Sequence, residues 1–280
     1  MATRTELRVL SWNLRGISGI PEPRMRRLIE AIASDSSDII LLQEVTAAEG
    51  VAERLREHFA RRLRCDGWLF SGENARDKLY GNVIASRFPL EPNPRRPKPD
   101  APWPQLLARA TIDSSIGQID AISVHMPNGS GNGWTKVETF EALGSIMADE
   151  HRGPLVVGGD FNEPRHVDPD NGIESFGADE DGTVRGHWRD PQGRRYPTAR
   201  WQAAVEGVLG PRSILQQTWL AKNPGVNGTT HVVRGKERFF DHILVSRDRF
   251  EVVAAGFHHS WRTEPGLSDH SATWAVIRKR

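Results

Sequence analysis

Apolar runs in this chain repeatedly stop on a group that should not be buried. In "VVGGDFNEPR", residues 156–165, β-branched residues give way to two glycines and then to Asp160 and Asn162. "LRVLSWN" (7–13) stops on Asn13, "SDIILLQEV" (37–45) reaches Glu44 next to its end, and "AISVH" stops on His125. Asp241 opens "DHILVS", and "GLSDH" sets Asp269 and His270 at the start of the last apolar run. Each run is short, continuous and bounded by turn residues, which predicts buried strands. A charged group at the end of a buried strand costs free energy unless it is paired or holds a cation. Loops at strand ends are also where sheets build active sites.

Between the runs lie segments of helical spacing. In residues 23–34, Met25, Leu28, Ile29 and Ile32 share one face. Residues 47–63, 134–150 and 198–210 read as further helices. Strands outnumber helices without strict alternation, so two packed sheets with helices outside fit better than one parallel sheet. Residues 91–105 hold six prolines and read as a long surface loop carrying Arg95, Arg96 and Lys98. Residues 166–197 lack periodicity and read as an inserted loop, and no linker divides the chain. One domain over 1–280 is expected.

Composition narrows the function classes. A net charge of +1 argues against a heavily basic nucleic-acid binder, while leaving local basic clusters open. The single cysteine, Cys65, permits no intrachain disulfide and no zinc-type Cys pair, as suits a reducing compartment. No stretch approaches the ~18 consecutive apolar residues of a membrane span, and the first residues carry no apolar run of signal-peptide length. A soluble, cytoplasmic protein without a membrane anchor is expected, and no protein partner is indicated.

The polar groups at the strand ends suggest a chemistry. Asn, Asp and Glu oxygens suit a hard cation such as Mg²⁺, with Mn²⁺ as a substitute. An Asp–His pair orients a general base, and Asn and His side chains stabilise charge on phosphoryl oxygens. Together they suggest metal-assisted attack of water on a phosphoester. Each residue also has a plainer reading. Asp160 and Asn162 could form an ordinary turn, as could Asn128 in "HMPNG". Asn13 and Glu44 could cap strands, Asp241 and His270 could be a structural ion pair, and His125 a satisfied core histidine. Arg109, on a strand, could reach a phosphate or simply pair with an acid. The arginines at 54–62 read as a solvated face.

The motifs "SWNLRG", "LLQEV", "HMPNG", "GGDFN", "FDHILVS" and "LSDH" occur in that order from residue 11 to 270. Each alone is weak, but the ordered set resembles the endonuclease/exonuclease/phosphatase superfamily, with the deoxyribonuclease I-like fold. The resemblance implies an α/β (α+β) protein, a four-layer αββα sandwich of two mixed, mostly antiparallel sheets flanked by helices. It implies a Mg²⁺-dependent reaction in which Asn13, Glu44 and Asp269 hold the metal. Asp160 would position or activate the attacking water, Asn162 would bind the phosphate, and Asp241 would orient His270 as base or clamp. His125 stands where abasic endonucleases have a tyrosine and secreted nucleases a histidine. His242 would be a strand residue without a role.

Substrate is less constrained. "HMPNGSGNGW" resembles the abasic-endonuclease version of its segment, which favours nucleic acid as substrate. Arg238 stands near the place where abasic enzymes carry an aromatic, which argues against a dedicated abasic pocket. Arg194 and Arg195 offer a second phosphate-tracking surface beside the proline loop, and Trp103 or Trp188 could stack on a base. A nuclease acting on DNA, or RNA, is therefore the leading expectation. A phosphatase or phosphodiesterase acting on a small or lipid phosphoester comes second, and an inactive binding module third.

Overall fold

The structure is a computed structural model of the 280-residue chain. It describes residues 5–17, 19–46, 48–72, 80–93, 100–132, 134–149, 153–168, 172–178, 186–189, 193, 195–264 and 267–280. Arg95, Arg96, Lys98, Arg194 and the side chain of Trp188 lie outside the described residues.

Two six-stranded sheets form the centre. The first contains β1 (Glu6–Asn13), β2 (Ile39–Thr46), β3 (Gly67–Phe70), β4 (Tyr80–Ser86), β17 (Phe250–His258) and β18 (Ala272–Lys279), in the order β17-β18-β1-β2-β4-β3. The second contains β5 (Leu90–Pro92), β6 (Leu107–Ser114), β7 (Gly117–His125), β8 (Leu155–Asp160), β13 (Leu215–Gln217) and β16 (Asp241–Ser246), in the order β13-β16-β8-β7-β6-β5. β1 and β2 are parallel, as are β7 and β8, and the other neighbours in the two sheets are antiparallel. Each sheet is thus mixed, with its parallel pair near the middle.

Three apolar clusters give the layering. Leu7, Val9, Ile39 and Leu41 of the first sheet meet Ala108, Ala121, Val156 and Ile243 of the second. Outside the first sheet, α1 (Glu22–Asp35) and α2 (Val51–His58) cover Leu10, Trp12, Ile40 and Leu42. Outside the second, α4 (Trp134–Met147) and α5 (Thr198–Leu209) cover Ile122, Val124, Leu155 and Val157. Alternate residues of β1 and β2 serve opposite layers, which is the period-2 geometry of strands buried on both faces. This is the four-layer αββα sandwich implied by the sequence.

α1 presents Met25, Leu28, Ile29 and Ile32 inward, as their spacing predicts. The helix expected over 47–63 opens at Val51, after Gly50 at φ 66°, and widens into a π-type turn over Phe59–Leu63. The described part of 166–197 differs from a plain loop. It holds the antiparallel pairs β9 (His166–Asp168) with β10 (Gly172–Glu174), and β11 (His187–Arg189) with β12 (Arg195–Pro197). These strands are too short to show periodicity. A further hairpin, β14 (His231–Val233) and β15 (Lys236–Arg238), lies before β16. Three short helices, α3 (Gly129–Asn132), α6 (Thr218–Lys222) and α7 (His259–Thr263), and 3₁₀ turns at Ala48–Gly50 and Pro104–Leu106 complete the described elements. No helix among the described residues is long and apolar enough to cross a membrane.

Candidate active site

Strand register assembles the site. In the second sheet His125 pairs with Asp160, and Asp160 with Asp241, so the three stand in one row across β7, β8 and β16. Residues paired across strands point to the same face, here toward the first sheet. From that sheet, the Asn13 Nδ2 group at the end of β1 donates to Asp160 Oδ2 at 3.0 Å and to Glu44 Oε1 at 3.1 Å. Glu44 reaches this position through a bulge: the β2–β4 register shifts between Leu42 and Val45, and Glu44 lies at φ 57°. An extra residue in one strand re-aims a side chain, and here it turns a carboxylate into the cleft.

The glycines of "VVGGD" permit the close approach. A Cβ at Gly159 would stand 1.8 Å from the Val124 carbonyl oxygen, and one at Gly158 would stand 2.7 Å from Leu41 Cδ1. Polar bonds also tie the sheets beneath the site: Gln43 Nε2 donates to Ser123 Oγ at 3.0 Å, and Ser123 Oγ to the Leu42 carbonyl at 3.0 Å.

The loop before β18 is fastened just as firmly. Ser268 Oγ donates to the Asn13 carbonyl at 2.7 Å and accepts from the His270 N–H at 3.1 Å. Trp12 Nε1 donates to the His270 carbonyl at 2.9 Å. His270 Nδ1 then meets Asp241 Oδ2 at 2.9 Å, while Nε2 stands 3.8 Å from Asp160 Oδ2 and 4.0 Å from Asp269 Oδ1. Because a carboxylate accepts, Nδ1 carries the proton and Nε2 faces the cleft.

Burial and charge set the protonation states. Burial would lower the His270 pKa, but Asp241, Asp160 and Asp269 outweigh it and lift it to about 10. For Asp160, burial pushes upward, yet His270, His125, the Asn162 N–H and Asn13 together hold the pKa below its ordinary value. These charges favour a cationic His270 and an anionic Asp160, while burial pushes Asp241 above its ordinary value. His242 is the contrary case. Burial lowers it to about 4, and Gln217 Nε2 at 3.1 Å and the Glu163 carbonyl at 3.0 Å occupy its two ring nitrogens. It is a neutral structural histidine.

These groups open onto a cavity of about 910 Å³. Glu44, His125, Asn128, Asp160, Asn162, Asp269 and His270 line it, as does Trp103. Asn13 and Asp241 stand behind this lining, bonded to it. Arg109 lies on β6, opposite Ile122, and is not among the lining residues.

Two features escaped the sequence reading. Lys136 on α4 is 1 % exposed, donates to the Asn162 carbonyl at 2.9 Å, and pairs with buried Glu163 at 3.2 Å. Trp201 Nε1 and the Phe176 N–H also donate to Glu163. This network props Asn162, whose φ of 49° is rare for a residue with a side chain. A signal existed: Lys136 precedes Phe140, Leu143 and Met147 at helical spacing on the apolar stripe. His231 stacks on His270 at 4.1 Å and 11°, and its Nδ1 donates to the Asp269 carbonyl at 2.9 Å. Nothing in "GTTHVVRG" marks it as a site residue.

The donor set suits a divalent cation. Asp269 Oδ1 is buried with no hydrogen-bond partner among the described residues. Glu44, Asp160 and Asp269 bring three carboxylates to one cavity wall. His270 and Arg15, 3.5 Å from Asp269, offset part of this charge, and the oxygen-rich set suits a hard cation for the remainder. Asp269 also comes within 4.8 Å of ring nitrogens of both His231 and His270.

Residues 10–270 match the model of the Endonuclease/Exonuclease/phosphatase family. No curated protein matches the sequence. Among solved structures, an AP endonuclease from Archaeoglobus fulgidus is similar at 20% identity and a TM-score of 0.63, over 96% of this chain and 98% of that one. TDP2 of D. rerio, complexed with single-strand DNA product, is similar at 13% identity and a TM-score of 0.63, over 98% and 100%. A 3′ phosphatase from Neisseria, bound to product DNA hairpin, is similar at 20% identity and a TM-score of 0.61, over 96% and 98%. At these identities the likeness is one of fold.

Proposed function

This chain belongs to the endonuclease/exonuclease/phosphatase family, and from that premise we propose that it is a Mg²⁺-dependent phosphodiester hydrolase that cuts nucleic acid, DNA before RNA. The observation that carries the reading is the Asp241–His270 pair aimed at Asp160 across the mouth of one cavity. Asn13, Glu44 and Asp269 would hold the metal. When bound, Mg²⁺ supplies a Lewis acid that offsets charge on the phosphate.

The residues divide the remaining work. Asp160, held ionised and bonded to Asn13 and the Asn162 N–H, orients the attacking water and takes its proton. His270, held cationic by Asp241, donates from Nε2 to phosphoryl oxygens as negative charge develops. Such fixed donors cost no reorganisation during reaction. His125, whose Nε2 stands 3.7 Å from Glu44 and 3.8 Å from Asp160, faces the leaving oxygen. Asn162 and Asn128 hold the substrate's phosphate and backbone. Arg109 is given no part, because it does not line the cavity.

Nucleic acid is favoured by the cationic side chains of Arg234, Lys236 and Arg238 around the cavity, whereas Arg15 and Lys136 already pair with Asp269 and Glu163. The DNA products bound to the two fold neighbours support the same reading. A small phosphoester as substrate is the second reading, and the intact Asp–His set argues against an inactive binding module.

The test is turnover with and without Mg²⁺ on plasmid DNA, an abasic-site duplex, single-stranded RNA and bis(4-nitrophenyl) phosphate. Plasmid nicking that needs Mg²⁺ and falls at least ~10²-fold in His270→Ala is expected. Hydrolysis of the small ester alone would move the assignment to a phosphatase or phosphodiesterase. An unchanged rate in His270→Ala would remove the mechanism.

A further inference from the structure

The β14–β15 hairpin stands beside the reaction centre, and its charges are sorted by face. His231 pairs with Arg238, Val232 with Glu237, and Val233 with Lys236. Alternation sets His231, Val233, Lys236 and Arg238 on one face and Val232 and Glu237 on the other. The first four all line the cavity, together with Arg234 at the turn, while Val232 and Glu237 do not. The hairpin's one acid is on the far face, where Glu237 accepts from Thr229 Oγ1 at 3.1 Å. Three full positive charges therefore look into the cavity with no acid among them.

These cations are also left unneutralised. Neither Arg234 nor Lys236 has an ion-pair partner among the described residues, although elsewhere on the surface Arg26, Arg61 and Arg278 have acidic neighbours. Arg238 is fixed in place: it donates from Nη1 to the Arg165 carbonyl at 2.9 Å and lies 5.5 Å over the Phe176 ring. Its other N–H groups have no partner among the described residues. A like-charged face along a low-dielectric wall focuses potential into the cleft, and arginine's fork suits phosphate oxygens.

We infer that the cavity face of this hairpin is a second phosphate subsite, in which Arg234, Lys236 and Arg238 hold a phosphate of the same nucleic-acid strand that is not the one cleaved. It rests on the phosphodiesterase reading above and adds a requirement: the preferred substrate carries at least two phosphates. The scissile phosphate lies at His270 and Asp160, and the neighbouring phosphate lies toward the hairpin. A lone phosphodiester would gain nothing from the hairpin.

The test pairs binding with turnover. A fluorescein-labelled oligothymidylate octamer is titrated by anisotropy against wild type and Arg234→Ala/Lys236→Ala, both exposed positions. The double variant should bind about tenfold more weakly at low salt, and the slope of log K against log salt should fall by about 1.4, or ~0.7 per lost cation. Adding Val232→Lys, which restores one charge on the far face, should recover little. Turnover of bis(4-nitrophenyl) phosphate, with its single phosphate, should stay within about twofold of wild type, since the hairpin cations act on a phosphate it lacks. Unchanged octamer binding and salt slope would overturn the subsite. So would recovery by Val232→Lys, or an equal loss on the single-phosphate ester. If wild type hydrolyses neither substrate, the phosphodiesterase reading fails, while the anisotropy series still decides the hairpin.

Discussion

Single residues divide here into those proposed to act and those that hold them in place. His270 and Asp160 are readable from "LSDH" and "GGDFN" because their types are chemically pointed. Lys136 is marked only by its place on the apolar stripe of α4, since a lysine in a helix is usually solvated. Its side chain is 2 % exposed beside a Glu163 side chain that is fully buried. Removing one member of such a pair leaves a buried charge uncompensated, which costs about 3–5 kcal/mol. Two further donors to Glu163 place Lys136→Met near the lower end, about 3 kcal/mol, as a shift in urea midpoint. Lys136→Met/Glu163→Gln should regain part of that stability in the same melt, because no charge is then stranded and the amide oxygen still accepts a hydrogen bond from the donors around it. Activity should stay low in both, because the Asn162 carbonyl has lost its donor. Recovery of turnover along with stability would show that Lys136 serves the core alone.

At the scale of elements, β8 explains why the motif contains two glycines. Gly159 faces the Val124 carbonyl of the paired strand β7, and there is no room for a methyl group. Moving two hydrogen-bonded central strands apart would disturb the row His125–Asp160–Asp241 that the same register creates. Gly159→Ala is expected to cost more than about 3 kcal/mol, in the range of severe overpacking. It should appear as a large fall in Tm or as insoluble protein. A variant that melts like wild type would mean that β7 and β8 separate easily. The contrasting element is β14–β15, whose strands are three residues each. Nothing in "THVVRGKER" separates a hairpin from a loop. Only the pairing shows that its charges alternate.

The whole molecule depends on tying its outer layer to its sheets, and Asp35 is one such tie. At the end of α1, it bonds Arg8 of β1 and Ser37, and meets His258 Nε2 of β17 at 2.6 Å. Burial would raise its pKa, but His258, Arg8 and Ser37 bring it down to about 2 from 3.8. A carboxyl with a depressed folded pKa adds stability that is fully present above its unfolded value. That stability is lost as pH falls from 3.8 through about 2. Asp35→Asn should therefore cost about 1–2 kcal/mol at neutral pH, discounted for the partly exposed partners. The gap in Tm between variant and wild type should close as the pH is lowered from 4 to 2. A gap that stays constant across that range would mean Asp35 contributes by packing alone.

The sequence by itself determined the layers and brought forward most of the residues proposed to act. Short continuous apolar runs bounded by turn residues read as strands buried on both faces, and helices with one apolar stripe cover them, so a two-sheet core fits the hydrophobic patterning. Polar groups stranded at the ends of those runs need partners, and the order of their motifs and the resemblance it carries brought forward Asn13, Glu44, His125, Asp160, Asp241 and His270 as candidates. Tertiary structure decided the rest, because it depends on register and proximity rather than on residue type. The bulge that turns Glu44 inward, the Lys136–Glu163 support under Asn162, the stacking of His231 on His270 and the one-sided charge of β14–β15 join residues distant in sequence or too short-ranged to show a period. The absence of Arg109 from the cavity lining has the same origin. Its type suits a phosphate, but its place on β6 does not bring it there.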